Sequence, residues 1–197
     1  MEDATGLRER KKQRTRADLA DAADRLFAAR GFDDVTIDEI AEAADVSPRT
    51  FYRYFASKED LVLGGMDEAH GAFRAHLATR PDDEPVIDSI RSAFVALAAD
   101  MSRDPARSLR QGALIRTTPS LVLRRVQRQA ALEAQLAPVL ADRLGASAPD
   151  DLRPALLVAC AFCAFRIATI AWMSGGATAS LPDLIDDALD QLAVGFG

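Results

Sequence analysis

Apolar residues in this chain recur at spacings of three and four from end to end and never alternate over several residues, so the pattern predicts helices and no sheet. The first predicted helix runs from about Thr15 to Arg30, with Leu19, Ala22, Ala23, Leu26 and Phe27 as its apolar stripe. Thr15 and Asp18 resemble an N-terminal capping box, and Gly31 stands where a left-handed residue would end the helix. A short second helix is expected after Thr36, whose hydroxyl can accept from the amides ahead while Glu39 reaches back; its inner side would be Ile37, Ile40 and Ala41. Asp45 and Val46 read as a turn. Ser47 then caps a third helix, about Pro48 to Phe55, with the proline at the first helical position, where its missing N–H costs nothing. Ser57, followed by Asp60, opens a helix to about Thr79, and further helices are predicted near 85–103, 105–116, 120–144, 151–174 and 182–195. The fold class is therefore all-α, about nine helices. The organisation expected is a basic N-terminal arm (1–14), a three-helix domain (15–60) and a larger helical domain (61–197).

Residues 36–55 carry the most specific signal. Two short capped helices meet at a tight turn, with small Ala41 at their crossing and Val46 in the turn, which fits a helix-turn-helix. Phe51 and Phe55, four apart, would anchor the second helix inward and leave Arg49, Thr50, Tyr52, Arg53 and Tyr54 facing out. Arginine pairs with guanine edges, threonine offers a methyl and a hydroxyl to thymine, and tyrosine hydroxyls donate to phosphate. Lys58, beside the free amides after Ser57, would suit a backbone phosphate. With Thr36 and Ser47 at the caps, these residues form the candidate DNA interface. The run Arg8, Arg10, Lys11, Lys12, Arg14, Arg16 faces the single acid Glu9; it reads either as an arm that follows DNA, with Arg14 and Arg16 as contacts, or as a solvated charged tail.

The stretch from Thr15 to Leu61 resembles the DNA-binding domain of TetR-family transcriptional regulators. The residues that carry the likeness are Gly31-Phe32, Val35 to Ala41, Val46-Ser47, Thr50 to Phe55 and Ser57 to Leu61. One departure is Asp45, where the family usually has glycine; aspartate tolerates the left-handed conformation better than most residues. The resemblance implies a homodimeric, all-helical repressor whose C-terminal domain binds a small molecule.

Charge then qualifies the picture. The 197 residues hold 24 basic and 30 acidic side chains, a net −6, and residues 1–60 are themselves acidic, so DNA affinity must come from where the cations stand. Only Lys11, Lys12 and Lys58 are lysines, an arginine bias that reads as a high-GC genome and weakens arginine enrichment as a sign of phosphate binding. The N-terminus has no apolar segment behind its basic run, so no signal peptide is expected and a reducing cytoplasm is the expected compartment. Leu156 to Met173 is almost wholly apolar but carries Arg166, and reads as a buried helix in preference to a membrane span.

In the larger domain, Phe73, Phe94, Leu97, Met101, Ile115, Leu123 and Phe162, with Arg128 and Arg166, are the candidate effector pocket; a core stripe would have the same signature. Arg110, Arg116, Arg124, Arg125, Arg128 and Arg143 also flank apolar residues. Each needs hydrogen bonds or an anionic partner, either an acid such as Glu133 or Asp100 or an anionic amphiphile whose acyl chain lies inside and whose head meets arginine. The run Ala113 to Leu121, the arginine-rich helix with Glu133, and Asp151 to Pro154 resemble TetR-family members that bind acyl-CoA-like ligands, including the mycofactocin-associated regulators. The resemblance implies a long-chain acyl-CoA or related lipid as effector. No cofactor is expected, and no metal, because the Cys160 and Cys163 pair has no second pair beside it and His70 and His76 are distant in sequence.

Cys160 and Cys163 share a helix face and read as small buried hydrophobes, the rival reading being a thiol redox sensor. Helices 151–174 and 182–195 are expected to form the homodimer interface on a pseudo-palindromic operator. No catalytic motif is visible, so an enzyme is not expected. A non-specific DNA-bending protein is a further rival, and an activator differs from a repressor only in where its operator lies.

Overall fold

The computed structural model describes residues 2–146 and 150–194. Among them are nine helices and no strand: α1 (Glu2–Arg30), α2 (Ile37–Ala43), α3 (Pro48–Tyr54), α4 (Lys58–Ala78), α5 (Val86–Met101), α6 (Pro105–Thr117), α7 (Pro119–Arg143), α8 (Arg153–Ser174) and α9 (Leu181–Val194).

The helices divide into two compact units. The first comprises the chain up to Gly65 together with Ala113–Val122. Its core is built on Leu19, Phe27, Ile40, Phe51 and Phe55, and the fully buried Leu121 belongs to it, with Leu114 and Ile115 packed alongside. Periodicity places 113–122 in the C-terminal domain, because an apolar stripe shows which face of a helix is covered and not what covers it. The second unit comprises Met66–Gly112 and the chain from Leu123 onward. At its centre the Phe73, Phe94 and Phe162 rings lie 4.9 to 5.3 Å apart, and Phe165 stacks on Phe94 at 4.6 Å. α8 and α9 pack closely, and Arg91 of α5 bridges to Asp186 (3.0 Å) and Asp190 (2.5 Å) of α9.

Two expectations are corrected here. α1 begins at Glu2, so the arm is helix; Thr15 lies inside it and donates its hydroxyl to the Lys11 carbonyl at 3.0 Å instead of capping an end. Arg, Lys, Glu and Gln all favour helix, and from Arg8 to Arg14 that propensity outweighs the capping signal. α8, expected to be buried, is buried on one face only. Val158, Ala161, Phe162 and Trp172 are covered, while Leu152, Leu156, Ile167 and Ile170 are exposed. It is long and apolar enough to cross a membrane by length and composition, and it carries a core face of the second unit.

Candidate functional site

The turn between α2 and α3 is fixed by local chemistry. Thr36 accepts from the Glu39 amide at 3.3 Å, and the Glu39 carboxylate accepts from the Thr36 amide (2.8 Å) and hydroxyl (2.9 Å), closing a capping box. Arg30 adds a 2.8 Å bond to the same carboxylate, and these partners, Arg30 first, hold the Glu39 pKa down at about 2. At the far end of α2, Val46 N–H donates to Ala41 (2.9 Å) and Asp45 N–H to Glu42 (3.0 Å), with Asp45 left-handed at φ 53°. This is the double hydrogen bond of a Schellman stop, and it brings Val46 onto the core beside Ile40. Ser47 then accepts from the Thr50 amide at 3.2 Å and starts α3, with Pro48 at its first turn.

On α3, Phe51 and Phe55 are buried, with ring centroids 5.7 Å apart, and the opposite face presents Arg49, Tyr52 and Arg53; Tyr52 is 59 % exposed. The remaining candidates have structural partners. Thr36 and Ser47 are caps, and the Thr50 hydroxyl lies 3.0 Å from that of Ser47. Arg53 lies over the Tyr54 ring, 5.0 Å from its centroid, and donates to its hydroxyl at 3.3 Å.

Lys58, expected to meet a phosphate, has partners within the chain. Its ammonium donates to the carbonyls of Phe32 (2.8 Å) and Val35 (2.6 Å) and lies over the Phe32 ring, pinning the start of α4 to the loop before α2. Two of its three donors are turned to these carbonyls of the loop, which lies outside any helix. Arg16 stacks on Phe55 at 5.3 Å and approaches Gly64 so closely that a Cβ there would stand 3.0 Å from its guanidinium; Arg14 is exposed. Lys11, Lys12 and Thr15 of α1, with Arg53 and Tyr54 of α3, line a cleft of about 390 Å³. The i, i+3 and i, i+4 spacing of Lys12 and Lys11 to Thr15 signals the α1 side of this cleft once the run is read as helix.

The candidate effector residues are dispersed. Phe73, Phe94 and Phe162 fill the core of the second unit, and Leu97 and Met101 pack against it. Ile115 packs in the first unit, and Leu123 is 60 % exposed. Arg128 pairs with Asp67 at 2.9 Å. Glu133 and Asp100, the expected acid partners, are taken by Gln129 (3.0 Å) and Arg103 (3.1 Å). An acid-rimmed cleft of about 500 Å³, lined among others by Asp82, Asp83, Glu84 and Arg143, includes none of the candidate pocket residues.

Arg166 is exposed and donates to the Cys163 sulfur at 3.4 Å; Cys163 is itself exposed, not buried as expected, and Cys160 is half-covered. Arg125 lies close enough to Arg166 to feel its charge; burial first, and Arg166 second, lower its pKa. The Arg125 Nε is buried without a hydrogen-bond partner, and among the described residues no carboxylate pairs with either guanidinium.

Residues 19–64 match the family model for bacterial regulatory proteins of the tetR family, and residues 84–197 match the MftR C-terminal domain. The chain belongs to the TetR family. This TetR-family regulator is 35% identical over 195 residues to the HTH-type transcriptional regulator TcmR of Streptomyces glaucescens, covering 95% of this chain and 86% of the relative. Its fold matches the fatty acid degradation regulator FadR from Bacillus halodurans at TM-score 0.67 and 18% identity, over 92% of this chain and 99% of that one. FadR of Thermus thermophilus, a transcriptional repressor solved in complex with lauroyl-CoA, matches at TM-score 0.56 and 24% identity, over 92% and 95%.

Proposed function

We propose that this TetR-family regulator is a homodimeric repressor that reads a pseudo-palindromic operator through α3 and is released by an anionic amphiphile of the long-chain acyl-CoA class. Arg49, Thr50 and Tyr52 read the major groove. The exposed α8 stripe of Leu152, Leu156, Ile167 and Ile170 is apolar enough to need a cover, and a second copy supplies it in a four-helix contact with α9. Effector binding in the second unit alters the spacing of the two α3 helices, which must span half-sites about 34 Å apart.

The observation that carries the effector class is the Arg125 and Arg166 pair. Two guanidinium groups held near one another without a carboxylate, one with a buried unpartnered N–H, are matched to a phosphate or carboxylate head and repel a cation. The exposed Leu123 and Val126 on the Arg125 helix are suited to the start of an acyl chain. The MftR-type C-terminal domain and the lauroyl-CoA complex of a protein with this fold support the same reading.

Native mass spectrometry of the purified protein tests it, together with displacement from promoter DNA by palmitoyl-CoA, by free CoA and by dodecyltrimethylammonium. Palmitoyl-CoA should displace, and Arg125→Ala should weaken its effect about tenfold, the scale of one charge-assisted hydrogen bond. Displacement by the cation and not by the CoA ester would overturn the assignment.

A further inference from the structure

Four aromatic rings close the centre of the second unit. Phe73, Phe94 and Phe162 are buried, and each lies 4.9 to 5.3 Å from the other two. Phe165 differs: it is partly buried and stacks on one ring, Phe94, at 4.6 Å and an interplanar angle of 17°. Centroid separations of this size are ring contact, so no chain fits between these side chains as they stand. The cluster nevertheless adjoins Arg166 along α8, because Phe165 precedes it in the chain and Phe162 stands one turn before it on the same side. The cleft of about 500 Å³ in this unit is rimmed by Asp82, Asp83 and Glu84, which an anionic head avoids. The Phe165 carbonyl also accepts from the Thr169 hydroxyl at 2.8 Å, so its backbone is held and the side chain is the part left to turn.

We propose that Phe165 gates the acyl-chain site, and that its swing off Phe94 sets the shortest chain the regulator senses. The assignment rests on the acyl-CoA reading of the effector. With the head at Arg125 and Arg166, a chain adds affinity only where it leaves water, and the buried rings offer that surface once the outer ring has moved. Phe165 is the ring that moves, because it has one ring contact to lose, whereas moving Phe94 breaks three. Lifting a partly buried, stacked ring costs what about four buried methylenes return. Shorter chains therefore leave the gate shut and bind by the head alone, and longer ones open it.

The test titrates the full-length protein with acetyl-, butyryl-, octanoyl-, lauroyl- and palmitoyl-CoA by calorimetry. Emission of Trp172, the one tryptophan and a buried member of the same core, is followed alongside. In the wild type, affinity should stay level from acetyl to butyryl and then climb about fourfold per methylene, with the emission changing only where the climb begins. Phe165→Ala should start the climb at butyryl, raising it about tenfold over acetyl, and Phe165→Trp should delay it to longer chains. Phe165→Leu, which keeps an apolar side chain without the stack and guards against misfolding of the alanine variant, should fall between alanine and wild type. Leu184→Ala, a truncation in the same core on α9, should leave the onset where it is. An onset that is the same in wild type and every Phe165 variant, or one that Leu184→Ala moves equally, would overturn the gate and leave the effector class standing. A climb without any change in Trp172 emission would place the chain elsewhere and overturn the gate too. Absence of binding at every chain length would overturn the acyl-CoA reading and the gate with it.

Discussion

At the scale of single residues, the clearest strain is at Asp45, a non-glycine residue held at φ 53° by the two hydrogen bonds of the α2 stop. The left-handed region costs an L-residue about 1 kcal/mol, an amount glycine avoids, though its looser unfolded chain returns part of the gain. Asp45→Gly should therefore raise the unfolding free energy by a few tenths to about 1 kcal/mol in urea titrations, and Asp45→Val should lower it. His70 offers a second residue-level expectation. Burial is the largest influence and lowers its pKa, with Arg74 and Arg128 adding to this and Asp67 opposing it. The neutral ring is thus favoured in the folded state, and the unfolded chain binds the proton first as pH falls below the ordinary histidine value of about 6.5. Stability should decline from pH 7 toward pH 5 in the wild type, and His70→Gln should flatten that decline in thermal melts across the range.

At the scale of elements, the capping box and its arginine make the entry to α2 sensitive to acid. Glu39 is held at about 2, so the stability it brings is complete above the unfolded value of about 4.5 and is lost as pH falls between the two. Thr36→Ala should cost about 1 kcal/mol at neutral pH, and in that variant the acid dependence between pH 4.5 and 2 should shrink, because the carboxylate has lost the Thr36 hydroxyl as a partner. In the second unit the four-ring cluster bears more weight: Phe94→Ala removes a ring in contact with three others and should cost about 3–5 kcal/mol in denaturant titrations. These elements also mark what is legible in the sequence. Thr36, Glu39, Ser47, Pro48 and Gly31 encode helix ends by chemistry confined to a few neighbours, and the structure has all of those ends where the pattern puts them. The start of α1 is hidden because two local signals compete there, a weak cap at Thr15 against a long run of helix formers. Lys58 is opaque for a different reason: its partners, Phe32 and Val35, are more than twenty residues away in the chain.

Across the whole molecule, no sequence pattern states which apolar stripe is core and which is left bare. Phe73, Phe94 and Phe162 have the spacing of a pocket wall and fill a core, while Ile115 follows one domain in sequence and packs in the other unit. Arg125, by contrast, is marked by a buried Nε that no acceptor meets, a property that exists once α7 and α8 are assembled. The bare stripe on α8 carries the prediction at this scale. Ile167→Asp should convert the dimer to a monomer by sedimentation at micromolar concentration, and the wild-type melting midpoint should rise with protein concentration, a dependence the variant lacks.

The same stripe has a consequence for the cell's control circuit. On the proposed dimer, a pair of α3 helices is delivered to the operator only when two chains have met, so at low abundance the repressing species would grow with the square of the amount synthesised. Halving expression would then leave about a quarter of the dimers, by mass action alone. The regulated promoter would respond to its own repressor's dose as a threshold, a steepness set by the Leu152, Leu156, Ile167 and Ile170 face before any effector arrives.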